Sequence, residues 1–386
     1  MKHFLLAIFF VILSVGFVFS QNVSVSDYQV PVSSAKNLLL NADWNWAQTG
    51  DSVRTNNISG AMFFRTFYSS LPFAWFIDAD GAANRSLGNK WQLQTNLSGR
   101  VNAYLRDDQD WFGFGRGKVR YERPAVGQEW DQPASDFTIG AGYGRFINAT
   151  ALAKAVRIEG HLLKEGVIKN HMPKEIMIEV ANIIEREGEF KDLYGATYEV
   201  QWFNAIEEKI KESGELIGEH LGAMGFYRTR QVLFNIQERV NDRYYGWDLS
   251  AGVLFELTKP FKSQEIGSPQ LTIIGNYAYP IDWSLQLNIK AEASTPIDSN
   301  FFKQTNISVG TDFIYELSNR INWVTGYRLG LFKEPNVDAQ TTHNLSSSFL
   351  FYLENQIYYG VTGSFAKIGD NATNLGISMS LQYRLF

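Results

Sequence analysis

The chain has 386 residues, a formal charge of −5, 15 % aromatic residues, 32 glycines and no cysteine. So small a charge gives no reason to expect nucleic acid or another polyanion as partner. Without cysteine there can be no disulfide, and no lipid can be attached to an N-terminal cysteine.

Residues 1–20 have the layout of a secretory signal peptide. Lys2 and His3 form a basic start, residues 4–19 are almost wholly apolar, and Val18-Phe19-Ser20 precede a cleavage point before Gln21. The apolar run is short for a membrane span, which needs about 20 residues. Residues 21–36 read as an N-terminal segment on the periplasmic side. No later stretch approaches about 18 consecutive apolar residues, so no membrane-spanning helix is expected. The mean hydropathy of −0.19 beside so many aromatics suits strands that hide their hydrophobicity by alternation.

Six alternating segments follow within 37–147, beginning near Leu38, Asn56, Phe73, Lys90, Phe112 and Asp136. In 91–106, Trp91, Leu93, Leu97, Val101, Ala103 and Leu105 share one face. Gln92, Gln94, Asn96, Ser98, Arg100 and Asn102 share the other. Eight more segments lie within 245–386, beginning near Tyr245, Gln270, Asp282, Thr305, Arg320, His343, Ile357 and Asn374. Several exceed the usual length of about 5–6 residues and suit tilted membrane strands of about 9–11. Long connections (259–269, 295–304, 333–342, 367–373) alternate with tight ones near Pro280, Ser318-Asn319 and Asn355-Gln356. Barrels keep short turns in the periplasm and longer loops outside. About fourteen strands are expected, with twelve or sixteen the neighbouring even counts.

Between them, in 148–244, the period changes from 2 to 3.6, and charged residues are nearly twice as dense as elsewhere. Thr150 can cap a helix to about Lys164, and Pro173 stands where a first-turn proline belongs, ahead of Ile176, Met177, Val180, Ile183 and Ile184. Tyr194, Tyr198, Trp202, Ala205, Ile206 and Ile210 make a third stripe that ends near Ser213-Gly214. A last helix is expected over 226–242. A small water-exposed bundle is the simplest reading, and a plug inside the lumen is its rival.

Over 37–147 and 245–386 the chain resembles bacterial outer-membrane β-barrel proteins as a broad class. The resemblance rests on alternation, on turn asymmetry and on the aromatic ending Gln382-Tyr383-Arg384-Leu385-Phe386, in which Phe386 stands one step out of phase with the apolar face. It implies a transmembrane antiparallel up-and-down β-barrel with an α-helical insert in a periplasmic turn. The implied partners are outer-membrane lipid, the barrel-assembly machinery during biogenesis and a periplasmic protein for the insert. Lumen-lining candidates are Arg65, Arg100, Arg116, Lys118, Arg120, Asp248, Glu256, Lys290, Glu292, Asp312, Glu316, Arg328 and Arg384. A basic ladder of Arg100, Arg116, Lys118 and Arg120 could steer anions; equally, a barrel interior must be polar and can pair its own charges. Trp75, Trp247, Trp283 and Trp323 fall at periplasmic strand starts, as an interfacial aromatic belt would.

No cofactor, metal or catalytic constellation is implied. Gly113-Phe114-Gly115-Arg116-Gly117 and Gly140-Ala141-Gly142-Tyr143-Gly144 lack nucleotide-loop spacing and fit strands that leave room for aromatics. The Asp107-Asp108-Gln109-Asp110 turn reads as solvated, and His161, His171 and His220 are too dispersed for metal ligands. A channel or transporter for small solutes is the first expectation, its helical insert gating or occluding the periplasmic mouth. A plugged barrel acting as anchor or scaffold is the second.

Overall fold

The computed structural model describes residues 22–49, 52–70, 72–106, 109–124, 127–236, 238–353 and 357–383. Fourteen strands form one sheet in which each pairs antiparallel with its neighbours in sequence. They are β1 (Ser33–Thr49), β2 (Ser52–Ser69), β3 (Phe73–Arg85), β4 (Gln92–Tyr104), β5 (Trp111–Arg123), β6 (Ala134–Asn148) and β7 (Tyr244–Thr258). Then come β8 (Gln270–Pro280), β9 (Leu285–Pro296), β10 (Thr305–Ser318), β11 (Ile321–Lys333), β12 (Gln340–Leu353), β13 (Ile357–Ile368) and β14 (Asn374–Tyr383). Period-2 patterning thus located every strand, several to the residue. The signal-peptide segment, Asp107, Asp108, Arg384 and Phe386 lie outside the described residues.

The connections split by side. At the end where β1 begins and β14 finishes they are short, apart from the stretch before β5 and the helical insert. At the other end they include 124–133, 259–269 and 297–304. An up-and-down path with an even strand number brings both ends of the sheet to one side, and the insert leaves from that side too.

The sheet turns its apolar face outward. In β6, Ile139 is 55 % exposed while the preceding Thr138 is 8 % exposed; in β7, Leu249 is 53 % exposed and Ser250 5 %. A water-soluble sheet buries the opposite set. Among the described residues no helix is long and apolar enough to cross a membrane.

Among its described residues the insert holds five α-helices, α1 (Thr150–Lys164), α2 (Lys174–Glu185), α3 (Glu187–Tyr194), α4 (Tyr198–Glu212) and α5 (Gly222–Leu233), with a 3-10 turn at Gly195–Thr197. Leu152, Ile158 and Leu162 of α1 form a core with Met177 and Val180 of α2, Trp202, Ile206 and Ile210 of α4, and Val232 of α5. Trp202 Nε1 also donates to the Ile183 carbonyl at 2.8 Å, so its one polar atom is satisfied. Val23, Val25 and Tyr28 of the N-terminal segment join this core.

Three local expectations are corrected. Thr150 is the first helical residue, not the cap; Ala149 holds the N-cap position without a side-chain cap, and Asn148 Oδ1 before it accepts from the Thr150 backbone N–H at 2.9 Å. The Tyr194 stripe is broken by Gly195, whose φ of 52° ends α3 and leaves Tyr194 exposed. The last helix begins at Gly222 and stops at Leu233, because residues 238–243 run back toward the sheet.

β6 and β7 pair from Ser135↔Thr258 to Asn148↔Tyr244, so the chain leaves and rejoins the sheet at one rung. α3 lies against β1, and α1 reaches β10 through the Arg157–Glu316 ion pair. In a flat sheet those strands would stand nine spacings, roughly 43 Å, apart. A compact unit of the insert's size is only about 30 Å across. The sheet is therefore curled round the helices, with its polar face toward them.

Candidate functional site

Two features of the polar face bear on function: its charges, and the place where the insert sits on it. Strand alternation puts Arg100, Arg116, Lys118, Arg120, Asp248, Glu256, Lys290, Glu292, Asp312 and Arg328 on that face. The ladder sets Arg100 opposite Arg116, Ser98 opposite Lys118 and Asn96 opposite Arg120. Lys118 lies opposite Asp136, and Asp136 opposite Glu256. Arg328 pairs with Asp312 at 2.8 Å, and Arg65 with Asp78 at 2.5 Å. Asn276 donates to Asp248 at 2.7 Å. Glu256 accepts from the Gly267 backbone at 2.9 Å and meets Lys259 at 3.3 Å. Lys118, Arg120, Lys290, Glu292 and Arg328 are exposed, so water reaches the polar face over its middle and at the long-loop end.

At the insert end the same face is covered over β9–β11. Glu316 of β10, Asn322 of β11 and Gln286 of β9 are buried; Arg157, Asn241 and Arg243 of the insert meet Glu316 and Asn322, and Tyr244 of β7 holds Gln286. Glu316 is the hub. Arg157 of α1 pairs with one carboxylate oxygen, and Arg243 Nη2 reaches the other at 2.8 Å. The Asn241 backbone and Nδ2 donate to that second oxygen at 3.1 and 2.8 Å. Asn241 Nδ2 also reaches Asn322 Oδ1 at 2.9 Å. Behind them Glu238 takes Arg157 at 3.2 Å and His161 at 2.9 Å. Burial pulls the Arg243 guanidinium below its ordinary value, and the Glu316 charge opposes that fall. A buried carboxylate met by two guanidiniums and an amide has the partners such a charge needs.

The N-terminal segment straps the junction. Trp283 Nε1 donates to the Val23 carbonyl at 3.1 Å, Tyr245 donates through its hydroxyl to the Tyr28 carbonyl, and Asp27 pairs with Lys174 at 2.7 Å. A cleft of about 520 Å³ remains between α1, α5 and the β10–β11 turn, lined by His161, Lys164, Arg228, Glu238 and Asn319. Deeper in the bundle, burial pushes the Glu185 carboxyl up and the Lys154 ammonium down, and each charge partly supports the other.

The aromatic belt residues divide. Trp75, Trp247 and Trp323 sit at the insert end of β3, β7 and β11, with Trp247 exposed. Trp283 packs against the insert core, so it serves the junction. Trp44, Trp46 and Trp91 lie exposed at the opposite end of the sheet, which alternation alone did not single out.

The glycine runs also separate by face. A Cβ on Gly142 would come 2.4 Å from the Phe112 ring, and one on Gly140 2.7 Å from Phe114. The β6 glycines thus make room for two buried aromatics of β5. Gly113, Gly115 and Gly117 meet nothing closer than 3.9 Å. The three insert histidines pair with three different glutamates: His161 with Glu238, His171 with Glu159, and His220 with Glu207. Compared with known proteins, the chain matches no family model and no curated relative.

Proposed function

We propose that the chain is an outer-membrane β-barrel channel for small solutes whose helical insert closes the periplasmic mouth. The observation that carries the reading is the outward apolar face, Ile139 and Leu249 against buried Thr138 and Ser250. A protein with that surface is stable when the face meets lipid. An even number of strands lets β1 and β14 close antiparallel, although among the described residues no pair joins them. Closure would leave no edge in the hydrocarbon. Fourteen strands is wider than the eight whose interior side chains fill, and short of the 16–18 that leave an open aqueous channel. Exposed tryptophans at both ends of the sheet support two interfacial belts. The signal-peptide pattern and the short turns on the insert side support periplasmic placement of the helices. Outer-membrane lipid and the barrel-assembly machinery are the partners this reading implies.

The insert's contacts favour occlusion. It touches β1 on one side and β10–β11 on the other, and its docking groups meet the buried Glu316 and Asn322. Planar-bilayer recordings of the full chain and of a chain with 149–243 replaced by a short glycine turn test this. Asn148 and Tyr244 already pair, so the ladder survives the replacement. Steps that appear or grow only after replacement support the gate. Silence in both sinks the channel.

A second reading keeps one specific observation. Val200, Ile217, Met224, Phe226 and Tyr227 are exposed on the insert, as a scaffold that docks a periplasmic protein would require. Silent recordings together with loss of assembly on mutating this patch would favour it.

A further inference from the structure

Cations on the polar face are mostly matched. Arg65 takes Asp78, Arg328 takes Asp312, and Lys118 has Asp136 opposite. Arg100 and Arg116 break the pattern. The β4–β5 ladder sets them directly opposite each other, and like charges so placed destabilise a sheet. Their other cross-strand neighbours are Phe76 and Thr138, neither of them acidic. Asp78 is taken by Arg65, and Asp248, whose charge is felt at Arg100, is held by Asn276. Among the described residues neither arginine forms an ion pair. Arg116 is fixed over the Phe114 ring at 5.2 Å, and its Nε is shut off from water without a hydrogen-bond partner. Arg100 Nε donates to Asn102 at 3.1 Å, which orients its fork.

We propose that Arg100 and Arg116 hold a small oxyanion, a carboxylate or a phosphate, between their guanidinium forks. Guanidinium presents paired donors that match such oxygens bidentately. An anion between the two converts a repelling pair into two charge-assisted contacts. Both residues stand near the middle of their strands; Arg116 is half-buried with its Nε shut off from water, which strengthens a charge-assisted contact made there. Ser98 and Thr138, neighbours on the same face, supply hydroxyls beside the pair. Lys118 and Arg120 have Asp136 and Glu256 nearby and Asp248 acts on Arg100 from beside the ladder, so what remains distinctive is the one pair of like charges set directly opposite each other. The inference rests on the channel reading and names the solute class of that lumen.

The test uses the full chain in detergent, with inorganic phosphate as probe at constant ionic strength. Phosphate should raise the unfolding midpoint of the parent and of an R328Q control. R100Q and R116Q should each bind it about tenfold more weakly, the loss of one charge-assisted contact, and the double variant should not respond. In phosphate-free, low-salt buffer the double variant should melt above the parent, because the repulsion is gone. A parent indifferent to phosphate overturns the site. So does a double variant that melts below the parent without phosphate, since the pair would then be structural. In bilayers, replacing both arginines should shift the reversal potential in a salt gradient toward cation preference, and an unchanged potential in a conducting barrel also overturns it. A barrel that never conducts contradicts the channel reading, and the phosphate titration still decides the site.

Discussion

Replacing Glu316 by alanine should loosen the insert without melting the sheet. The substitution leaves Arg243, 1 % exposed at its side chain, without its carboxylate. It also strips one partner from Arg157 and two acceptor contacts from Asn241. Removing one member of a buried pair typically costs about 3–5 kcal/mol. Arg157 keeps Glu238 at 3.2 Å, and Arg243 keeps the Trp283 carbonyl at 2.9 Å, so the lower figure applies. About 3 kcal/mol multiplies the undocked population roughly 150-fold. Hydrogen exchange at Asn241 and Arg243 reads that change directly, because their amides are held by Glu316 and by Thr150 Oγ1. Amides in the middle of β6 and β7 should keep their protection. If the junction amides exchange no more than about threefold faster, Glu316 is not the hub. If the β6–β7 amides speed up equally, insert and sheet are one cooperative unit and a gate of this kind is ruled out.

Gly142→Ala should impair folding, because its Cβ would strike the Phe112 ring and the Leu249 carbonyl, whereas a Cβ at Gly113 meets only the Gly140 carbonyl at an ordinary 4.0 Å, so Gly113→Ala should fold normally; heat-modifiability on gels compares the two. Trp202→Ala should cost about 3–5 kcal/mol through a cavity and a lost hydrogen bond, so proteases should cut the insert while the strands stay resistant. Glu185 has a carboxyl raised by burial above 4.5, so the folded insert holds that proton more tightly than the unfolded chain. Its contribution is therefore full below the ordinary carboxyl range and is lost as pH rises through the raised value. The insert's melting midpoint should fall across that window, and Glu185→Gln should flatten the fall.

Much of the sheet was legible because its cause is local. Alternation marks every strand, and Phe73, Gln270, Thr305, Ile357 and Asn374 begin strands where the pattern changes. The insert was legible for the same reason, since its apolar spacing shifts to a helical period at Thr150. Helix ends were less so. Val240 continues the helical pattern, yet it is buried from a segment that turns toward Asn322 and Glu316, and that destination is tertiary. Arg157 and Glu316 lie 159 residues apart, and no spacing rule joins them. Trp283 looked like its belt companions because all occupy strand starts; the N-terminal segment that covers it is what distinguishes it. The basic ladder was visible as alternate residues on β5, but only the β4–β5 and β5–β6 registers separate the matched Lys118 from the opposed Arg100 and Arg116.

The absence of native cysteine permits the most direct test of a mouth closed by the docked insert. Arg157→Cys combined with Glu316→Cys places the only two thiols at the hub, where a reducible bis-methanethiosulfonate cross-linker as long as the lost Arg–Glu reach would lock α1 to β10. The account predicts a silent bilayer when the pair is cross-linked and discrete conductance steps when reductant is added to the insert side. Equal conductance in both states would contradict it.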